Sequence, residues 1–493
     1  MDCAVFFIVS FLVPITLGLL SFIVDGRRAD VYLVFNLSLI AITYLLGTIL
    51  YFESREKIIH VILIKNNVLG EFYGLIVDSY SITVGLVVLS CGILFLIYSI
   101  DYLSIDNKLH PIKGGKGKFY GWMLLFLGST LAFLHSSTLI EALIFFELMS
   151  LSCWGVVSYY GSARDIISAN KALLYTHIGA ILGLYLASFL SLYYIGDTSL
   201  FSLPSLPAFA KTEILLLVMV ASLAKSAQFP FYSWLLDAMV APTPASAFLH
   251  GAAMIEMGVY LLGRITQFIS AASPIVFHVL VLLMLTTCVI CILMYPLQVN
   301  AKKFLAYSTI GEAMIMYIGV IYALTGSITG LRATIAYLVN HAFIKGLGFL
   351  VVGVFEYAYG THSMRSVANL ILKSRLLSIG WFVSIIGLSG LPPFNLFFGK
   401  MLILASVTNV KNVFYLAPIL AMILYSCVFF IVGISWVNKM IFRGSKSEDL
   451  IEKTKIPSLM KYSIIFLVIL SLTSHFLFYN MISQITTYGG FAG

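Results

Sequence analysis

Apolar runs of about 20 residues recur along the whole chain, and each is long enough to cross a hydrocarbon core of about 30 Å as a helix. They predict about fourteen spans, near residues 3–24, 30–52, 78–100, 119–137, 138–160, 166–194, 212–236, 243–267, 274–298, 302–324, 327–356, 376–406, 413–440 and 459–484, with ends placed to within roughly 3 residues. A membrane barrel would instead show short alternating segments, which are absent. The first run is followed at once by another and lacks a small-residue cleavage site, so it reads as a retained helix rather than a signal peptide. The expected fold is an all-α polytopic membrane protein, one transmembrane domain over residues 1–493.

Composition agrees with the pattern. Of 493 residues, 60% are hydrophobic and only 10% charged, which excludes a soluble globular chain. The net charge of +8 would suit nucleic acid or anionic lipid, but the positions of the charges decide otherwise. Loops after odd-numbered spans hold Arg27, Arg28, Lys108, Lys113, Lys116, Lys118, Arg164, Lys302, Lys303, Arg365, Lys373, Arg375 and a cluster from Lys439 to Lys461, roughly 18 basic residues against about 7 on the other side. The positive-inside rule then predicts a multi-pass protein of the cell membrane with both termini on the outer face, and no nucleic-acid partner.

Six cysteines, Cys3, Cys91, Cys153, Cys288, Cys291 and Cys427, are scattered through apolar runs and propose no disulfide framework. Cys288 and Cys291 have C-x-x-C spacing but no second pair or nearby His, and read as small packing residues. No His/Asp/Glu set has ligand spacing, and no iron–sulfur, haem, nucleotide or flavin motif occurs. The sequence therefore predicts no metal and no cofactor; any electrons would be carried by other chains.

The candidate chemistry lies in ionisable groups inside the spans, since each costs about 2.5–3.5 kcal/mol unless it faces a polar interior. They are Glu141 and Glu147 in span five, Lys171 and His177 in span six, Lys225 in span seven, His250 and Glu256 in span eight, Glu312 in span ten, His341 and Lys345 in span eleven, and Lys400 in span twelve. Acid, base and His follow one another on successive helices, as a proton relay requires. Burial disfavours a charged lysine and a nearby carboxylate restores it, so a Glu147/Lys225 pair can switch protonation with small movements. His341 and Lys345, at i and i+4, share a helix face and favour one proton between them, with Asn340 as an amide partner. His250 has small neighbours, Gly251 to Ala253, that leave room for water. Glu141, about 9 Å along the axis from Glu147, reads equally as an accessory relay group or as a group near the membrane surface.

Two spans carry proline near their middle: AQFPFYSW around Pro230 and GLPPFNLFFGK around Pro392 and Pro393. Proline removes a backbone donor, so each helix should open there, and the freed carbonyls must face protein or water. The breaks are about 163 residues apart, each with a lysine within two turns, which suggests inverted repeats over 119–267 and 274–440, flanked by N-terminal helices in 1–110 and a C-terminal helix at 459–484.

The segments AKSAQFPFYSWLLDAMVAPTPASAFLHGAAM, FFELMSLSCW, KKFLAYSTIGEAMIMYIG and NHAFIKGLGF resemble the proton-translocating membrane family shared by antiporter-like subunits of respiratory complex I, Mrp cation/proton antiporters and membrane-bound hydrogenases. The likeness covers roughly residues 70 to 440. It implies two inverted five-helix repeats, spans four to eight and nine to thirteen, with spans seven and twelve discontinuous. It also implies relay roles for Glu147, Lys225, His250, His341, Lys345 and Lys400. Glu256 and Glu312 stand where many members are uncharged, and Tyr337 where some have histidine. The sequence ends soon after the last run, without the long lateral helix of the largest complex I subunit, which points to shorter relatives, including those of hydrogenase-type complexes.

Together these features predict an ion-translocating subunit, for protons or sodium, of an energy-converting membrane complex. Its expected partners are a second antiporter-like or channel subunit and a peripheral iron–sulfur redox arm. An Mrp-type antiporter without a redox partner, a self-sufficient secondary transporter and a purely structural subunit are the alternatives.

Overall fold

Polar punctuation between the apolar runs sets where helices begin. Side-chain oxygens of Asp78, Thr138 and Asn300 accept from the backbone N–H of Ser81, Glu141 and Lys303 at 2.8, 3.0 and 3.1 Å, satisfying donors that a helix start leaves free. The computed structural model describes residues 2–269, 274–407, 413–442 and 454–489. Arg443, Lys446 and Lys453, part of the basic cluster expected from Lys439 to Lys461, lie outside the described residues.

The order is α1 (Asp2–Ser21), α2 (Gly26–Ser54), β1 (Ile58–Asn66), β2 (Gly70–Asp78), α3 (Ser79–Tyr102), α4 (Lys116–Leu134), α5 (Leu139–Val157), α6 (Ala163–Ile195), α7 (Ala208–Lys225), α8 (Ser233–Asp237), α9 (Thr243–Phe268), α10 (Pro274–Met294), α11 (Ala301–Leu324), α12 (Ile328–Tyr359), α13 (Arg375–Ser389), α14 (Asn395–Ala405), α15 (Ala417–Ile441) and α16 (Ser458–Ser483). Among the described residues, 12 helices are long and apolar enough to cross a membrane. The two remaining predicted spans are those with internal proline, each divided into a pair: α7 with α8, and α13 with α14. The protein is a polytopic helical membrane protein. The most apolar windows of α9, α11 and α12 are entirely buried, so these three form the centre, while α1 and α16 bury only 39% and 33% of theirs and lie at the rim.

One element was not predicted. The stretch before α3 forms an antiparallel hairpin, β1 with β2, pairing Ile58 with Asp78 and Asn66 with Gly70, with irregular register between Ile62 and Lys65. Glu71 fastens it to the helix ends: its carboxylate accepts from Ser199 Oγ at 2.6 Å, from Ser137 Oγ and from His60 Nε2 at 2.9 Å. Nearby, Asp78 and Arg264 form a buried two-pronged pair at 2.6 and 2.9 Å, to which Tyr488 adds a hydroxyl at 2.9 Å.

Candidate functional site: a buried polar row

Helix α7 ends at Lys225, and the chain is irregular from there to α8, with Pro230 in the gap and Ala227 at φ +49. The opened backbone faces protein: Trp234 Nε1 donates to Ala224 O at 3.0 Å, and Gln228 Nε2 to Ser226 O at 2.9 Å. In the second break, after α13, Gly390 takes φ +77 ahead of Pro392 and Pro393. There Ser389 O accepts from Lys400 Nζ at 2.7 Å.

Lys225 is fully buried. Its Nζ donates to Phe146 O at 2.8 Å and Ser150 Oγ at 2.9 Å on α5, and stands 3.9 Å from the centre of the Phe146 ring. The direct Glu147–Lys225 contact expected from the sequence is not formed. Glu147 lies beside Phe146 but turns outward, and its carboxylate pairs with His177 Nδ1 of α6 at 2.8 Å, with the side chains 29% and 51% exposed. Consecutive residues on a helix point about 100° apart, so one turn of α5 gives its carbonyl and serine to Lys225 and its carboxylate to the lateral face. Lys171 of α6 pairs with Asp237 of α8 at 2.7 Å.

Helix α9 contains a π-helical turn, Leu249–Ala253, that carries His250. The His250 ring stacks on Phe349 at 4.6 Å, and its Nδ1 lies 3.0 Å from Thr309 Oγ1. On α11, Ser308 next to Thr309 accepts from Lys345 Nζ, which also donates to Leu305 O at 3.3 Å. Leu305 O accepts Thr309 Oγ1 as well, at 3.0 Å. His341 and Lys345 do not share a partner: His341 Nδ1 meets Glu256 Oε1 at 2.8 Å. Asn340, expected beside them, instead donates to Asn395 O at 3.0 Å.

One turn along α11, Glu312 accepts from Tyr337 and, at 3.2 Å, from Tyr425, whose hydroxyl is also 3.0 Å from Ser308 O. Ser426, next to Tyr425, accepts from Lys400 Nζ at 2.6 Å. The structure thus brings Lys225, His250, Glu256, Glu312, His341, Lys345 and Lys400 into the interior; His250, Lys345, Glu312 and Lys400 are joined through α11 and α15, whereas Glu256 and His341 pair with each other. Glu141 stands apart: its carboxylate accepts from the backbone N–H of Ser137 at 3.0 Å and Gly74 at 3.4 Å, tying α5 to the hairpin. Cys288 and Cys291 donate to the carbonyls of Ala421 and Tyr307 at 3.5 and 3.6 Å.

Sequence reasoning missed the hydroxyls Ser150, Ser308, Thr309, Tyr425 and Ser426. For four of them the only signal was two polar pairs in otherwise apolar runs, LAYSTI and ILYSCV; Ser150 stands in FFELMSLSCW with none. Buried polar atoms without a partner among the described residues, Glu256 Oε2, His341 Nε2, His250 Nε2 and Gln228 Oε1, border the same row. Such atoms mark places where internal water is expected.

A helical membrane bundle whose centre is threaded by titratable side chains, beside two interrupted helices, defines a polytopic membrane protein with a polar core. The chain belongs to the NADH:quinone oxidoreductase/Mrp antiporter transmembrane family, whose sequence profile matches residues 136–427. It is 32% identical over 420 residues to Na(+)/H(+) antiporter subunit A1 of Staphylococcus haemolyticus (strain JCSC1435), covering 80% of this chain and 51% of the relative. The corresponding subunit of Staphylococcus aureus (strain JH9) is 31% identical, with 78% and 50% covered. The chain therefore spans about half the length of the curated relatives it matches.

Solved structures agree in fold. A chain of the Mrp complex from Dietzia sp. DQ12-45-1b superposes with a TM-score of 0.82 at 24% identity, covering 98% of this chain and 51% of that one. A chain of the membrane-bound sulfane sulfur reductase, an archaeal respiratory membrane complex, gives 0.81 at 18% identity, with 98% and 96% covered.

Proposed function

We propose that this chain is an ion-translocating, antiporter-like subunit of a larger membrane complex, in which protons move along the buried row and sodium is the candidate counter-ion. The observation that carries the reading is the row itself. Lys225, His250, His341, Lys345, Glu312 and Lys400 lie on five different helices, and hydroxyls of α11 and α15 join most of them. A proton enters beside Lys225, passes His250 and Lys345, and leaves at Lys400. Glu147 with His177 acts at the entrance, and Glu256 and Glu312 hold His341 and Tyr337. Glu141 is assigned to anchoring.

Two inverted repeats, 119–267 and 274–440, account for the paired breaks at Pro230 and at Pro392 and Pro393, with both termini outside. Glu147 and His177 on the lateral face would be costly against lipid, so we place a neighbouring membrane subunit there. Na⁺/H⁺ exchange is supported by the names of the relatives at 31–32% identity. Coupling to a peripheral iron–sulfur arm is the other form of the same reading. Co-purification in mild detergent separates them: an iron–sulfur protein in the complex supports the second form, and only membrane subunits the first.

The row is tested by Lys225→Ala in the assembled complex. Proton transport into membrane vesicles, read with a pH-sensitive dye, is expected to fall by about tenfold or more. Unchanged transport would remove the reading.

A further inference from the structure

One buried ionisable cluster takes no part in this row. It sits at the end of the bundle that carries the basic loops, where Lys302 reads from sequence as a loop residue and Glu356 as the edge of a span. Both are buried, at 3% and 2% exposure. Glu356, in the last turn of α12, accepts through Oε2 from Tyr102 of α3 at 2.6 Å and from Thr243 of α9 at 2.5 Å. Its Oε1 faces Lys302 Nζ of α11 at 3.6 Å and His362 Nδ1 at 3.9 Å.

His362 reaches the outside: its side chain is 43% exposed. Its position is fixed, because Ala301 N donates to His362 O at 2.8 Å and Met364 N to Val299 O at 2.9 Å. These bonds fix the main chain that carries the imidazole beside the pair. Inward, Lys302 Nζ donates to Ala241 O at 2.6 Å, and Ser246 Oγ lies 3.5 Å from the same carbonyl. Ser246 precedes His250 by four residues on α9, one turn or about 6 Å. A polar series therefore leads from an exposed imidazole, through a buried carboxylate, to within one turn of the central histidine.

We propose that Glu356 is a proton-exchange site between the aqueous phase on the basic-loop side and His250, with His362 as its outer partner and Lys302, Tyr102 and Thr243 positioning the carboxylate. The inference rests on reading His250 as part of the relay. A proton leaves His362 Nδ1 and binds Glu356 Oε1, across a gap that one water bridges, while Oε2 keeps its two hydroxyl donors. Internal water beside the Lys302 ammonium and the Ser246 hydroxyl, which share the Ala241 carbonyl, carries it over the remaining turn to His250, and His362 recovers a proton from bulk water.

The rival role for Glu356 is a structural ion pair that merely ties α3, α9, α11 and α12 together. The two roles separate because breaking a buried pair destabilises, whereas removing both charges often does not. In vesicles holding the assembled complex, Glu356→Gln is expected to cut proton transport about tenfold or more. The double variant Lys302→Met with Glu356→Gln should recover the melting temperature that Glu356→Gln loses, yet leave transport low; Glu356→Asp should keep most transport. His362→Ala should slow transport by a smaller factor, and imidazole added on the basic-loop side should restore it.

Wild-type transport in the double variant would overturn the proposal and leave the structural pair. Lys345→Ala in parallel tells the two readings apart. If it also leaves transport intact, the relay itself is wrong; if it abolishes transport while the double variant is normal, only the Glu356 site falls.

Discussion

Three lysines are buried in one manner. Lys225, Lys345 and Lys400 each donate to one backbone carbonyl and one serine hydroxyl, and none has a carboxylate within 4.0 Å among the described residues. Neutral oxygens satisfy an ammonium's donors without fixing its charge, which a close carboxylate would do. Removing one acceptor, as in Ser150→Ala or Ser426→Ala, should cost about 1–3 kcal/mol, read as a lower melting temperature of the purified complex, and slow transport. Gly390 offers a sharper probe. A Cβ there would stand 2.5 Å from Lys400 Nζ, and the positive φ disfavours any other residue, so Gly390→Ala should displace the lysine and reduce transport with the complex still assembled. The lysines were legible in the sequence because a charge in hydrocarbon is conspicuous. Their partners were not, since serines inside membrane helices are common and no spacing says which helix they face. Glu147 shows the same limit: its cost was evident, but its turning to His177 depends on where α6 packs.

For whole elements, the interrupted helices were the most readable feature, because proline acts locally through a missing N–H. The hairpin was hidden for the opposite reason. Its nine-residue strands, IIHVILIKN and GEFYGLIVD, are too short to be spans and carry polar residues among the apolar ones, so they passed as a connection. The π-helical turn at His250 also left no sequence mark beyond small residues. The hairpin's anchor makes a pH prediction. Burial alone would raise the Glu71 carboxyl, but hydrogen bonds from His60, Ser137 and Ser199 outweigh it and hold it below the usual value of 4.5. A carboxyl held low stabilises the fold at pH above its unfolded value, and that stabilisation is lost as pH falls through the folded value. Amide exchange of β1 and β2, corrected for intrinsic rates, should therefore accelerate selectively as pH falls below the usual carboxyl value, while α9 stays protected. Glu71→Gln should show the faster exchange already at neutral pH.

In the molecule as a whole, the family fold surrounds a buried centre of three helices with a rim that is not uniformly apolar. The α5–α6 face, with Glu147, His177 and the 55% exposed Leu174, is expected to meet another chain. Leu174→Cys should give a cross-linked product with a neighbouring subunit in native membranes, lost once harsh detergent separates the complex. Deeper in, the Leu305 carbonyl is asked to serve Ser308 at 2.8 Å, Thr309 at 3.0 Å and Lys345 at 3.3 Å at once. One oxygen has two lone pairs, so a tighter grip by any of the three loosens the others. His250 leans on Thr309 and Lys345 on Ser308, and the two stations are thereby set against each other. If protons move along the row as proposed, a charge settling at Lys345 draws on the oxygen that also steadies the partner of His250, so occupancy of one station is felt at the next.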